Sequence, residues 1–421
     1  MNSKILNNYF FVLFSLIPAS IIFGPAISLI NILLINFSFI CLLIYTKEYK
    51  FLLNKTVKLL LIFYLYLIFN SITSENSSIG ILRNFGFIRF IILFCAFNYF
   101  FYHKIFFKKI LISWTLTVFI LTIDAYIESY TGRNILGYGE EYGDRIVSFF
   151  KDEPIAGGYI NAFYLIIVGY LFSLSHKFSV YYKYIILAVS IFFLLAILLT
   201  GERSNAIKAI FGFMLFYYIN NNFRIKEKLI AIFLAVILIG SSINNSEFLK
   251  SRYKEQFLNT VDVIYKSKFN KDLYKKNFTK HYFGYHYTEL YISGFKVFKD
   301  YPFFGVGNKN YRHVACDKNN NYKYICTTHP HQIYFELLAE HGLLGTVVLL
   351  FIIFNLVFSK SKIILQSKNY IQIGTFIFLS NSLIPFLPSG AFFADYNLNI
   401  FWLNLSLMYS VDNKTNIFSK N

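Results

Sequence analysis

Apolar residues run along this chain in long blocks rather than in alternation. Twelve blocks stand out, at about 8–23, 26–46, 57–73, 80–102, 109–128, 155–174, 182–200, 204–220, 228–243, 343–359, 369–386 and 396–411. Each approaches the ~20 mostly apolar residues that a helix needs to cross a hydrocarbon core. Few soluble folds could solvate so many. The pattern predicts an all-α polytopic membrane protein with about twelve transmembrane helices and no internal repeat.

Charge in the connections sets the expected orientation. With the N-terminus inside, the inner connections carry Lys47, Lys50 and Lys55; Lys104, Lys108 and Lys109; Lys177 and Lys183; Arg224, Lys226 and Lys228; and Lys360, Lys362 and Lys368. The short outer ones read Ser74-Glu75-Asn76-Ser77-Ser78, Gly201-Glu202 and Ala394-Asp395. Lys and Arg accumulate on the cytoplasmic side of membrane proteins, so both termini are expected there. One outer connection departs from the rule, as long translocated loops do. The chain therefore divides into helices 1–9 (residues 1–243), a large outer loop between helices 9 and 10 (244–342), helices 10–12 (343–411) and a polar cytoplasmic tail (412–421). The tail is expected to be disordered.

The loop opens with Lys250, Arg252, Lys254, Lys266, Lys268, Lys271, Lys275, Lys276 and Lys280. Such a stretch reads either as a solvated, lipid-hugging face or as a cradle for an anionic ligand.

Composition changes this picture little. The 421 residues are 56% hydrophobic and carry a net charge of +18. In a soluble protein that charge would suggest nucleic acid; here the cations flank apolar runs as topology signals, and no nucleic-acid partner is expected. Lys4 and the apolar stretch after it imitate a signal peptide, but no cleavage site follows, so the stretch reads as a first span. Cys41 and Cys95 lie in apolar runs and act as small hydrophobes.

Three outer segments collect polar residues: 143–150 with Arg145, 200–206 with Arg203, and His329-Pro330-His331-Gln332. The topology puts all three on one side of the membrane. Arg203 is held near the headgroup plane by a short connection, where its fork of donors suits a phosphate; the alternative is a snorkelling side chain. Glu202 and Asn205 crowd the same spot. Arg83 and Arg89 fall in the fourth run, and Asp124 in the next lies at a depth suited to pairing.

His331 precedes an amphipathic stretch that Gly342 would stop, so it sits at a helix N-terminus. The dipole there disfavours the protonated imidazole and leaves a nitrogen free to act as general base. Cys316, Cys326, His329 and His331 could also be read as a zinc set, but their spacing matches no standard site. A Cys316–Cys326 disulfide fits an oxidising compartment better.

At these residues the sequence resembles the O-antigen ligase and O-antigen polymerase superfamily. The family motif is His, then Asn, Ser or Gln, nine residues, then Gly-x-x-Gly. Here it reads His331-Gln332, then 333–341, then Gly342-Leu343-Leu344-Gly345. Upstream, the stretch from Lys299 through Pro302 to Gly305-Val306-Gly307 looks like the family's Pro–Gly-x-Gly turn, with Asn310-Tyr311-Arg312 after it.

The resemblance implies a membrane glycosyltransferase of the GT-C class in the bacterial inner membrane, with a periplasmic active site. It would move a glycan from an undecaprenyl diphosphate carrier to a hydroxyl of lipid A-core (ligase) or of a second lipid-linked glycan (polymerase). Carried over, His331 takes the role of the loop histidine at the reacting centre, and Arg203 that of a diphosphate-holding arginine, with Arg145 as a further one. Gln332 and His329 join the glycan-binding set. Ligases often carry one more Arg near the start of the Pro–Gly-x-Gly region; here His286-Tyr287-Thr288-Glu289-Leu290-Tyr291 has none. Arg312 or a loop lysine would then substitute, or the acceptor chemistry differs. That gap and the cysteine pair lean toward polymerase.

A diphosphate leaves readily when cations hold its charge, so neither a metal nor a cofactor is expected. A transporter or lipid-glycan flippase is the competing reading. It would need broken helices near the midplane, for which Pro385 and Pro388 offer one site.

Overall fold

The computed structural model describes residues 3–103, 107–139, 144–151, 153–174, 181–258, 283–317, 319, 323–385 and 387–419. Lys104, Lys177, Gly143 and the lysines from Lys266 to Lys280 lie outside these residues.

Every apolar block is helical. The first half holds α1 (Ser3–Ser15), α2 (Ile17–Ile22), α3 (Pro25–Thr46), α4 (Lys55–Ile72), α5 (Ser77–Gly86), α6 (Ile88–Tyr102) and α7 (Phe107–Thr131). Then come α8 (Ala156–Leu174), α9 (Tyr182–Leu199), α10 (Arg203–Ile219) and α11 (Ile225–Asn245). A π-helical turn follows at Lys250–Glu255. The last part holds α12 (Phe283–Asp300), α13 (Tyr311–Ala315), α14 (Ile333–Phe358), α15 (Ser361–Gln366), α16 (Tyr370–Ser382) and α17 (Asp395–Ser410).

Among the described residues, eight helices are long and apolar enough to cross a membrane. The runs near 8–23, 204–220, 369–386 and 396–411 form shorter helices. The protein is thus an all-helical, multi-pass membrane protein.

α8 is the hub. It is buried almost throughout and packs on α9, α10 and α16. Small residues let it approach α16 closely: a Cβ on Gly169 would meet the Tyr370 backbone at 2.4 Å. α11 lies at the edge, with only Ala231 and Ala235 buried.

Three sequence expectations change. Asp124 does not pair with Arg89. It accepts from the Ile135 N–H (2.9 Å) and the Ser148 hydroxyl (2.6 Å), both of which lie against α7. Arg89 and Arg83 pair with Asp395 of α17 instead, at 2.7 and 3.2 Å. The tail is not free: Asn416 donates to the Asn98 carbonyl (2.9 Å), and Ile417 is buried.

Gly342 kinks α14 rather than stopping it. Its φ is +62°, and the helix resumes at once to Phe358. The bend lets the Pro–Gly-x-Gly turn dock on α14. The N–H groups of Val306 and Gly307 donate to the carbonyls of Ala339 and Glu340, while Leu343 and Leu344 donate back to Pro302 and Phe303. A Cβ on Gly305 would lie 2.4 Å from the α14 backbone and one on Gly342 2.4 Å from Phe303. The two glycine motifs are therefore the two halves of one backbone contact.

Candidate functional site

Connections far apart in sequence meet at one end of the bundle. Glu75 donates to the Val306 carbonyl, Ser389 donates to the His331 carbonyl (2.8 Å), and the Ser204 hydroxyl donates to Pro388 (2.5 Å). Ser204, His331, Pro388 and Ser389 among them line a cavity of about 840 Å³.

One wall of the cavity is cationic. Arg145 comes from the segment before α8, Arg203 is the first residue of α10, and Arg252 lies in the π-helical turn after α11. The turn is anchored on the α9–α10 connection, where Arg252 donates to the Gly201 carbonyl (3.0 Å) and the Tyr253 hydroxyl to Leu198 (3.1 Å). Arg203 also donates to the Gln256 side chain. Arg145 reaches the Pro154 carbonyl at 3.2 Å. The Nε atoms of Arg145 and Arg252 are buried and have no hydrogen-bond partner, and among the described residues neither arginine forms an ion pair.

Burial and the nearby Arg252 push the Arg203 guanidinium down to about 9, and burial and Arg145 lower that of Arg252. Both remain charged at neutral pH. An anion in the cavity would relieve this crowding of like charge.

Glu202 borders the same cavity and feels the charge of Arg145. Its carboxylate caps α8, accepting from the N–H groups of Gly157 (2.6 Å) and Gly158 and from Asn205 (2.7 Å). The helix dipole favours a carboxylate there. Burial raises its pKa, and those hydrogen bonds oppose the rise.

His329 and His331 line the same cavity, with ring centroids 4.0 Å apart. His331 has φ +57°, just ahead of α14, and Tyr287 of α12 meets its ring edge-on at 5.9 Å. Burial, reinforced by His331, drives His329 down to about 3, so it is neutral at working pH. Its ring nitrogens lie 2.9 Å from the Thr328 hydroxyl and 3.4 Å from the Ser389 carbonyl.

Gln332 does not line the cavity. Its side chain accepts from the N–H groups of Tyr334 (2.8 Å) and Phe335 (3.1 Å) and so starts α14. This gives the second position of the motif a physical sense: Asn and Ser are strong N-cap residues, and here a Gln does the same work.

Arg312 is also elsewhere. With Lys309, His313 and Cys316 it lines a separate depression of about 700 Å³. Cys316 and Cys326 are joined by a disulfide, with Cα atoms 4.4 Å apart. Lys309 borders both hollows.

The structure thus brings together Arg145, Arg203, His329 and His331, but not Arg312 or Gln332. Arg252, Tyr287 and Lys208 join them. Arg252 was one cation in a Lys-rich run, and no local pattern set it apart; its being the only Arg among the cations from Lys250 to Lys280 was the single available signal.

Residues 188–350 match the family model described as O-Antigen ligase. No curated protein matches the chain. The match runs from α9 into α14 and takes in Arg203, Arg252, His331 and the Gly342–Gly345 motif. Residues 188–350 thus form a domain of the O-antigen ligase type, the kind found in the O-antigen ligase/polymerase superfamily.

Proposed function

We propose that this protein transfers a glycan from a polyprenyl diphosphate carrier to an acceptor hydroxyl, at the non-cytoplasmic face of the bacterial inner membrane. The observation that carries this is the meeting of Arg145, Arg203, Arg252 and His331 in one cavity of a membrane-embedded bundle. In this reading the chain crosses the membrane twelve times, with both termini cytoplasmic and residues 244–342 outside.

His331 takes the proton of the acceptor hydroxyl, whose oxygen attacks the anomeric carbon of the donor sugar. The bond from that carbon to the diphosphate oxygen breaks, and the polyprenyl diphosphate leaves with the electron pair. The three guanidiniums hold the growing charge in a site partly closed to water, where such contacts are strongest. His329, neutral at working pH, packs against His331 and helps fix its ring. The kink at Gly342 and the Gln332 cap set the height of His331 above the helix.

His331→Ala should stop release of polyprenyl diphosphate from a lipid-linked donor by purified protein, while the donor still binds. Near-normal transfer would sink the assignment. A gel of surface lipopolysaccharide from a strain lacking the protein then names the acceptor. Core with a single repeat and no ladder means polymerase; bare core with long chains stranded on the carrier means ligase.

A further inference from the structure

The cavity has a floor further into the bundle than the connections and helix end that carry the three arginines. It lies between α8, α10, α16 and α17 and is lined by Asn161, Lys208, Phe378, Asn381 and Ile400. Lys208 is only 8% exposed, and among the described residues its ammonium has neither an ion pair nor a hydrogen-bond partner. A cation buried without a countercharge in a membrane protein is costly and marks a ligand or ion path.

Its position on α10 gives the direction. Lys208 lies five residues beyond Arg203, or about 7.5 Å further along the helix. Helical side chains lean back toward the N-terminus, so the ammonium rises toward the arginine wall. Ser204, Asn205 and Lys208 share one cavity-facing stripe. The site thus has two levels of positive charge, three guanidiniums above and one ammonium below. Phe378 and Ile400, which line the same cavity, suit an anion that continues into hydrocarbon, rather than a free phosphate.

We propose that Lys208 binds the lipid-side phosphate of a polyprenyl diphosphate while the arginines hold the sugar-side phosphate, so that the site distinguishes diphosphate from monophosphate carriers. This rests on the donor assignment above. With one phosphate the arginines are satisfied and the floor is not. With two, both levels are filled.

The test is binding of farnesyl diphosphate and farnesyl monophosphate to the purified full-length protein in detergent. The wild type should prefer the diphosphate. Lys208→Met should weaken diphosphate binding roughly ten- to hundredfold, the worth of one or two charge-assisted hydrogen bonds, and leave the monophosphate within about twofold. Lys208→Gln serves if the Met variant fails to insert. Unchanged diphosphate binding in the variants overturns the proposal, as does parallel loss of both lipids or a wild type with no preference between them. A wild type that binds neither lipid instead overturns the donor assignment itself.

Discussion

Two basic hollows lie side by side in this protein, sharing Lys309, and they hold their cations differently. In the larger, Arg145, Arg203 and Arg252 come from three separate connections and are half-buried, and the Nε atoms of Arg145 and Arg252 are left unbonded. In the smaller, Arg312 and His313 sit on the short helix α13 and are exposed to water. Water already satisfies an exposed cation, and a ligand gains little by replacing it. A half-buried cation without a counterion has more to gain from an anion. Burial, more than charge, separates a site from a surface.

That contrast can be broken by experiment. Arg203→Ala should cost roughly 10²–10³-fold in transfer rate, as for loss of one preorganised charge-stabilising group; a loss below tenfold would remove the distinction between the hollows. Arg252→Lys keeps the charge but not the fork that reaches Gly201 and the cavity together. A fall of about tenfold is expected, read as a higher KM for lipid-linked donor.

Reducing or deleting the Cys316–Cys326 bond acts on the smaller hollow. Its short loop predicts a loss of roughly 3 kcal/mol of local stability, seen as faster proteolysis between those residues, with transfer affected only a few-fold.

His329→Gln tests the neutral histidine. A histidine whose folded pKa is about 3 takes up fewer protons than its unfolded form, whose pKa is near 6.5. It therefore favours the fold above pH 6.5, and this contribution fades as the pH falls toward 3. The Gln variant should resist acid better than wild type over that window and keep the same pH–rate profile near neutrality. A shifted profile would show that His329 titrates in the reaction. Smallest of all, Arg312→Ala should change transfer by no more than about twofold, and a larger loss would bring the outer hollow into the reaction.

Much of the fold was legible because of the solvent it faces. A segment that enters hydrocarbon must satisfy its own backbone, so a long apolar run can only be a helix. The apolar blocks accordingly all became helices. The helix start at His331 was equally legible, since it is a local feature, whereas the kink at Gly342 was read as a stop and the Gln332 cap was not foreseen. Arg203 could be singled out because a short connection left it nowhere else to go.

Contacts between distant residues were not legible. Asp395, not Asp124, answers Arg89, across 306 residues. Arg252 joins the site while Arg312, next to a family motif, does not. Gln332 turned inward to cap, and the polar tail found a buried place beside Asn98.

The pattern of residues along the chain was enough to show a membrane helix bundle and a motif histidine just ahead of a helix. Which cations share a cavity with that histidine depends on how the helices pack. Helix formation answers to near neighbours and to the solvent, whereas a site is assembled from helix ends whose order in space no local pattern records.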